Sequence, residues 1–439
     1  MFQMSRFEPA AGRVFAIAAL SLTCSQSLYA AGFALIEQSV PNMGTAYAGS
    51  AATADSADTL YFNPAGMTRL PGTRAAAAVH LVKPKTEFNN AGATYVTGAP
   101  IQGGDGGDAG GLAAVPHFYL THQMDDKTWI GLAVNAPFGL TTEYNSNWVG
   151  RYHAIKSDVL TVNVNPSIGY RVNDKLSVAV GASAMYLDGE FTNAVDYGLL
   201  MNPALAGQFD GRSKITGDDW GFGYNVGLLF EPSADTRIGL HYRSEVEQKI
   251  EGDANFSRVP GPLQPLFTKT DVKAEVDLPA MFSVSGFHQL NTEWAVVGDY
   301  TWTGWSSIPE LRFDFDNSLP DGVTTFDWKD TSRVALGTIY TPTGSDWTWR
   351  VGAAYDESPV RNAESRSARM PDTDRIWLTV GAGFNPSEAL RIDIGYAHLF
   401  MNDAKISKTA TGEDATRGNL NGSYDASVDI LSIEAQYTF

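Results

Sequence analysis

For most of the chain beyond about residue 112, apolar residues recur at every second position in stretches of about ten. A period of two belongs to strands, whose successive side chains point to opposite faces. "RIWLTVGAGF" (375–384) places Ile376, Leu378, Val380, Ala382 and Phe384 on one face, and "KLSVAVGASAMYL" (175–187) and "FGYNVGLLF" (222–230) repeat the pattern. The opposite positions are mostly Gly, Ser, Asn, Thr or charged residues. Such strands are long for a secreted β-sandwich, in which about five or six residues is usual. Short turns ("RVNDK", "EPSADT", "NPSEA") alternate with long loops. That rhythm predicts an all-β fold, a transmembrane antiparallel β-barrel with its short turns on the periplasmic side.

The N-terminus agrees with export. Arg6 and Arg13 precede the apolar run "VFAIAALSL" (14–22), and small or polar residues follow to Ala30, which predicts a secretory leader over residues 1–30. The single cysteine, Cys24, falls inside it, so the mature chain is expected to have no thiol or disulfide chemistry. After the leader no apolar run is long enough for a membrane helix, a limit that half-polar barrel strands escape.

A formal charge of −18 argues against nucleic acid as a partner, because phosphate needs clustered Lys and Arg. The seven histidines show no HExxH spacing and no GxSxG occurs, so the chain carries no sign of a metal, a cofactor or an enzyme's nucleophile. "GGDGGDAGG" (103–111) is a single Gly-Asp copy without the large apolar residue of a calcium repeat, and is expected to be a flexible extracellular loop.

Aromatic residues gather near strand ends, in "YTWTGW" (300–305) and "DWTWR" (346–350), where lipid interfaces favour amphipathic rings. The last strand, "LSIEAQYTF" (431–439), alternates up to an aromatic Phe439. It resembles the C-terminal insertion signal of Gram-negative outer-membrane barrels, and its apolar face is expected to meet lipid.

Residues 31–74 are different, being rich in Ala, Gly and Ser without sustained alternation. Small side chains suit close packing in a confined space such as a barrel lumen. "AGFALIEQ", "GTAYAG" and above all "NPAGM" (63–67) resemble the N-terminal hatch of the FadL family, the outer-membrane long-chain fatty acid transporters. The likeness continues in order through "NAPFGLTTEY" (135–144), "WGFGYNVGLLFE" (220–231), "YRSEVE" (242–247), "LPAMFSVSG" (278–286), "WKDTSRVALG" (328–337), "DESPV" (356–360) and "MPDTDRIWLTVG" (370–381). It implies a monomeric barrel of about fourteen strands over residues 75–439, corked by a hatch over 31–74. The partners it implies are the barrel assembly machinery, outer-membrane lipid and lipopolysaccharide.

The same resemblance implies passive uptake of long-chain fatty acids through outer loops, an apolar pocket, and a lateral opening at a kinked third strand. The corresponding residues are Asn135, Pro137, Phe138 and Gly139; Pro137 cannot donate a ladder hydrogen bond and Gly139 tolerates a bulge, so pairing should fail there. Motion of Phe33 would release ligand, with Asn63, Pro64 and Ala65 anchoring the hatch near the kink. Lys329 matches a position tied to the ligand's carboxylate head. Two loops are greasy where solvent is expected, offering Leu199, Leu200, Met201, Leu263, Leu266 and Phe267 as a capture groove for alkyl chains. One departure stands out: the family's fatty-acid transporters carry basic residues in the strand entering the third long loop, whereas none lies here between Lys175 and Arg212. That leaves open a pocket for neutral alkanes or monoaromatic hydrocarbons, and, from another class, an outer-membrane lipid hydrolase.

Overall fold

A computed structural model describes residues 32–439. The expected leader and Cys24 lie outside the described residues. Strand β1 (Thr73–Thr94) and β2 (Ala113–Gln123) are followed by one broken stave, β3 (Thr128–Asn135) with β4 (Gly139–Glu143). Next come β5 (Lys156–Asn173), β6 (Leu176–Asp196), β7 (Asp210–Ser233), and β8 (Thr236–Arg243) with β9 (Val246–Ser257). Three more broken staves follow: β10 (Thr270–Leu278) with β11 (Met281–Gln289), β12 (Trp294–Thr303) with β13 (Glu310–Phe315), and β14 (Gly322–Thr325) with β15 (Thr331–Tyr340). The wall ends in β16 (Trp347–Asp356), β17 (Arg375–Phe384), β18 (Leu390–Met401) with β19 (Ala404–Lys408), and β20 (Asn419–Thr438).

These segments make a closed antiparallel barrel of 14 staves. Closure comes from β1 and β20, which pair from Arg74 opposite Thr438 to Thr94 opposite Asn419. A closed barrel leaves no edge and satisfies its backbone internally, the condition for spanning lipid.

The alternation runs opposite to that of a water-soluble protein. On β20, Leu431 is 54% exposed and Ile433 49%, whereas Ser432 and Glu434 between them are 2% and 1%. Polar side chains fill the lumen and apolar ones coat the outside. At the short-turn end Trp294 stacks on Tyr340 and Trp347 on Phe384, ring centroids 4.5 and 4.7 Å apart, a girdle of the expected kind. Trp305 of "YTWTGW" is a correction to that expectation, for it turns inward and is fully buried.

The hatch is a chain of one-turn helices, Val40–Met43, Ser50–Thr53 and Thr59–Phe62, closed by a 3-10 turn over Pro64–Arg69. Its backbone groups are met by the lumen. Arg237 Nε donates to Ala52 O (2.9 Å), Arg243 Nη2 to Tyr61 O (3.2 Å) and Arg333 Nη2 to Ala46 O (2.8 Å). In return Glu434 accepts the Val40 N–H (3.1 Å) and Gln436 the Ala57 N–H (2.8 Å). The polar face of the C-terminal strand is thus one part of the seat of the hatch, with β8 and β15 supplying the rest of these bonds.

"GGDGGDAGG" departs from the flexible loop expected of it. Asp108 Oδ1 accepts the N–H groups of Thr86 (2.8 Å) and Gly110 (2.9 Å), and Ala109 is buried. The glycines serve close packing: a Cβ on Gly103, at φ +155°, would lie 2.2 Å from the Asn147 carbonyl.

Candidate ligand cavity and lateral gate

Pairing of β3 with β2 ends at Val134, opposite Phe118, and β4 pairs only with β5. The upper part of β2, Ala113–His117, is therefore bonded to β1 alone. Between them lies Pro137, which has no N–H to give. The kink is fixed from β5, where Thr161 Oγ1 accepts the Phe138 N–H (3.0 Å) and donates to the Phe138 carbonyl (2.6 Å).

The first described residues of the hatch occupy this break from inside. Leu35 N–H donates to Pro137 O at 2.7 Å, Gly139 N–H to Phe33 O at 2.9 Å, and Gln38 Nε2 to Ala136 O at 2.7 Å. Ala34 and Phe138 form an antiparallel bridge. The Phe33 ring sits 5.6 Å from Phe138, 5.2 Å from Trp305 and 6.2 Å from Trp328. Gly32 precedes it at φ +62°, where a Cβ would collide with Trp305 at 2.5 Å, so glycine is required. Its N–H donates to Asp372 Oδ2 at 3.0 Å, and Asp372 is itself held by Ser358 and Arg375.

On the other side of Phe33 lies a narrow apolar cavity, partly open to solvent. Its walls are mostly apolar, from Leu140 and Leu187 through Ile250 and Phe313 to Met370, with Thr216 and the exposed Lys273 at its edge, and contain no serine, histidine or carboxylate. One buried charge meets it: Arg369, 5% exposed, on the loop between β16 and β17. Its Nη1 donates to Ser157 Oγ at 3.3 Å and Nη2 to Asn193 Oδ1 at 3.2 Å, both neutral acceptors. Nε has no partner, and the guanidinium lies 5.6 Å from the Phe191 ring centroid. Burial, with Arg417 nearby, pulls its pKa down to about 9, so the group stays charged at neutral pH.

The residues singled out from sequence are placed as follows. Phe33, Phe138 and Gly139 meet at the break in the third stave, and Asn135 accepts from Asn163 Nδ2 at 3.0 Å just below it. Lys329 is half-buried, its N–H on the Pro359 carbonyl at 3.1 Å, and is not among the side chains lining the cavity; its neighbour Trp328 packs on Phe33 instead. The two greasy loops do come together, Tyr197 against Phe267 at 4.9 Å, leaving Leu200 and Leu266 exposed and Leu199, Met201 and Leu263 partly so. Asn63, Pro64 and Ala65, expected to anchor the hatch, meet the wall as follows. Asn63 Nδ2 donates to Ala51 O (2.7 Å) and to Leu228 O on β7 (3.0 Å), and Ala65 packs with Ala179 of β6 and Leu229 of β7. The motif's side-chain donations and alanine packing thus fall on β6 and β7, its 3-10 turn lies also against β3 and β5, and Phe33 to Gln38 meet the kink itself. Gly227 permits the approach of Asn63, since a Cβ there would lie 2.1 Å from Asn63 Oδ1.

This architecture has counterparts. Residues 21–439 match the family described as outer membrane protein transport protein (OMPP1/FadL/TodX). The chain belongs to the FadL family. It is 30% identical over 417 residues to the long-chain fatty acid transport protein of Escherichia coli O6:H1, covering 90% of this chain and 92% of that one. The crystal structure of a Pseudomonas aeruginosa FadL homologue superposes with a TM-score of 0.85 at 24% identity, over 93% of this chain and 100% of its own. The Ralstonia pickettii toluene transporter TbuX gives a TM-score of 0.64 at 21% identity, over 93% and 99%. FadL membership makes this a Gram-negative outer-membrane barrel, and accounts for an outside coated with apolar side chains.

Proposed function

We propose that the barrel takes up long-chain fatty acids, admitting them from the outer loops to the apolar cavity and releasing them sideways between β2 and β4. The observation that carries this reading is the double position of Phe33. Its ring walls the cavity, while the backbone on either side of it completes the break in the third stave. A ligand that displaces Phe33 thereby opens the wall. The name of the E. coli relative, a long-chain fatty acid transport protein, supports the substrate class.

Binding needs no bond chemistry. Each methylene moved out of water contributes roughly 0.8 kcal/mol, so ten of them offset much of the cost of immobilising the chain. Exposed Leu200 and Leu266 form the first contact, and the protein acts as a single barrel without cofactor or catalytic group. A neutral hydrocarbon such as toluene is the second reading, favoured by the mostly apolar walls.

The test is uptake of labelled oleate by cells lacking their own outer-membrane fatty acid transporter. Expression of this chain should restore it, and Phe33→Asp, which puts a charge into the aromatic cluster, should abolish it. No uptake above the empty vector from a correctly inserted barrel would overturn the proposal.

A further inference from the structure

The strand entering the third long loop lacks a basic residue, yet the space beside it does not lack a charge. Arg369 reaches it from another loop, placing its guanidinium over Phe191 and against Asn193, both on β6. This charge is buried, has only neutral acceptors at 3.2 and 3.3 Å and keeps Nε unpartnered, whereas the other cation lining the cavity, Lys273, is exposed and already paired with Glu251 at 3.1 Å. An unpaired buried cation carries a desolvation penalty of several kcal/mol. A channel for neutral hydrocarbons gains nothing from one.

We infer that Arg369 is the specificity residue of the cavity, binding the anionic head of an amphiphile whose tail lies among Leu187, Ile250 and Phe313. The inference rests on the uptake reading and sharpens it, since it assigns the substrate class to carboxylates over their neutral esters and over hydrocarbons. The geometry supports a fork-shaped donor: Nε is free, and a carboxylate can replace the long bonds to Ser157 and Asn193 with shorter charge-assisted ones. Lys329, which does not line the cavity, is not needed for this.

The experiment compares binding of oleate and methyl oleate to the purified barrel in detergent at mildly alkaline pH, for the wild type, Arg369→Met, Arg369→Lys and Lys329→Ala. The wild type is expected to prefer oleate by about tenfold or more, the worth of one charge-assisted bond. Arg369→Met should lose that preference by weakening oleate alone, with unchanged ester binding reporting an intact cavity. Arg369→Lys should keep part of it and Lys329→Ala all of it. An equal wild-type affinity for acid and ester, an unaltered preference in Arg369→Met, or loss of preference in Lys329→Ala would overturn the assignment. Failure of the wild type to bind either compound would instead overturn the uptake reading beneath it.

Discussion

Glu37 shows how a single hatch side chain sets a pH dependence. It is fully buried without an ion pair, and burial raises its carboxyl from 4.5 to about 7, against the pull of Arg375 and Arg333 and with Asp356 adding to the rise. The seated hatch therefore holds the proton more tightly than the released one. Its contribution to seating is complete below about pH 4.5 and is lost as pH climbs through about 7. A spin label on the hatch should show release at lower denaturant near pH 8 than near pH 5, and Glu37→Gln should flatten the difference; an identical slope in both proteins would exclude Glu37 as the source. Phe33→Ala, which removes a ring packed on three aromatic neighbours, should weaken seating of the gate segment by about 3–5 kcal/mol. Faster hydrogen exchange at Leu35 and Gly139 would register it. Some of this was legible in sequence: "AGF" and "NAPFGL" marked the two segments that meet at the break. Arg369 was not, because "RNAESRSARM" offers three arginines with nothing local to rank them. Only the fold sends Arg366 to the Asp372 carbonyl and Arg369 to Asn193, 176 positions away.

At the scale of elements, two-residue alternation was enough to locate the long strands, since every lumenal or lipid-facing position repeats the same choice. It was weaker where staves break. Strand periodicity alone puts Trp305 in the girdle, because it cannot report that β12 ends at Thr303 and the chain then turns inward. The hatch had no periodicity to read, being built of single helical turns whose partners are lumenal Arg, Glu and Gln far along the chain. Its attachment through "NPA" was visible as a motif, but the point of contact on β6 and β7 depended on Gly227, a residue unremarkable in its own strand. Asn63→Ala deletes two side-chain donations and the cap on Ala65, and should loosen the hatch by about 1–3 kcal/mol. Gly227→Leu should do more by occupying the same space. Both should leave the barrel's resistance to heat in detergent unchanged while exposing residues 40–70 to protease; a fall in barrel stability of equal size would show hatch and wall to be one cooperative unit.

For the whole molecule, lipid outside, a polar lumen and a seated cork make passage of an amphiphile a matter of moving one short segment. The proposed route requires that ligand leave through the break between β2 and β4 when residues 33–38 withdraw. A cysteine pair at Ala34 and Phe138, bridge partners at the break, would lock that segment to the wall, with the reduced form of the same protein as its control. The measurement is the rate of labelled oleate uptake by cells expressing this double variant before and after reduction. The oxidised barrel should transport several-fold more slowly and recover on reduction; equal rates in the two states, with the disulfide verified, would mean that the ligand takes another way out.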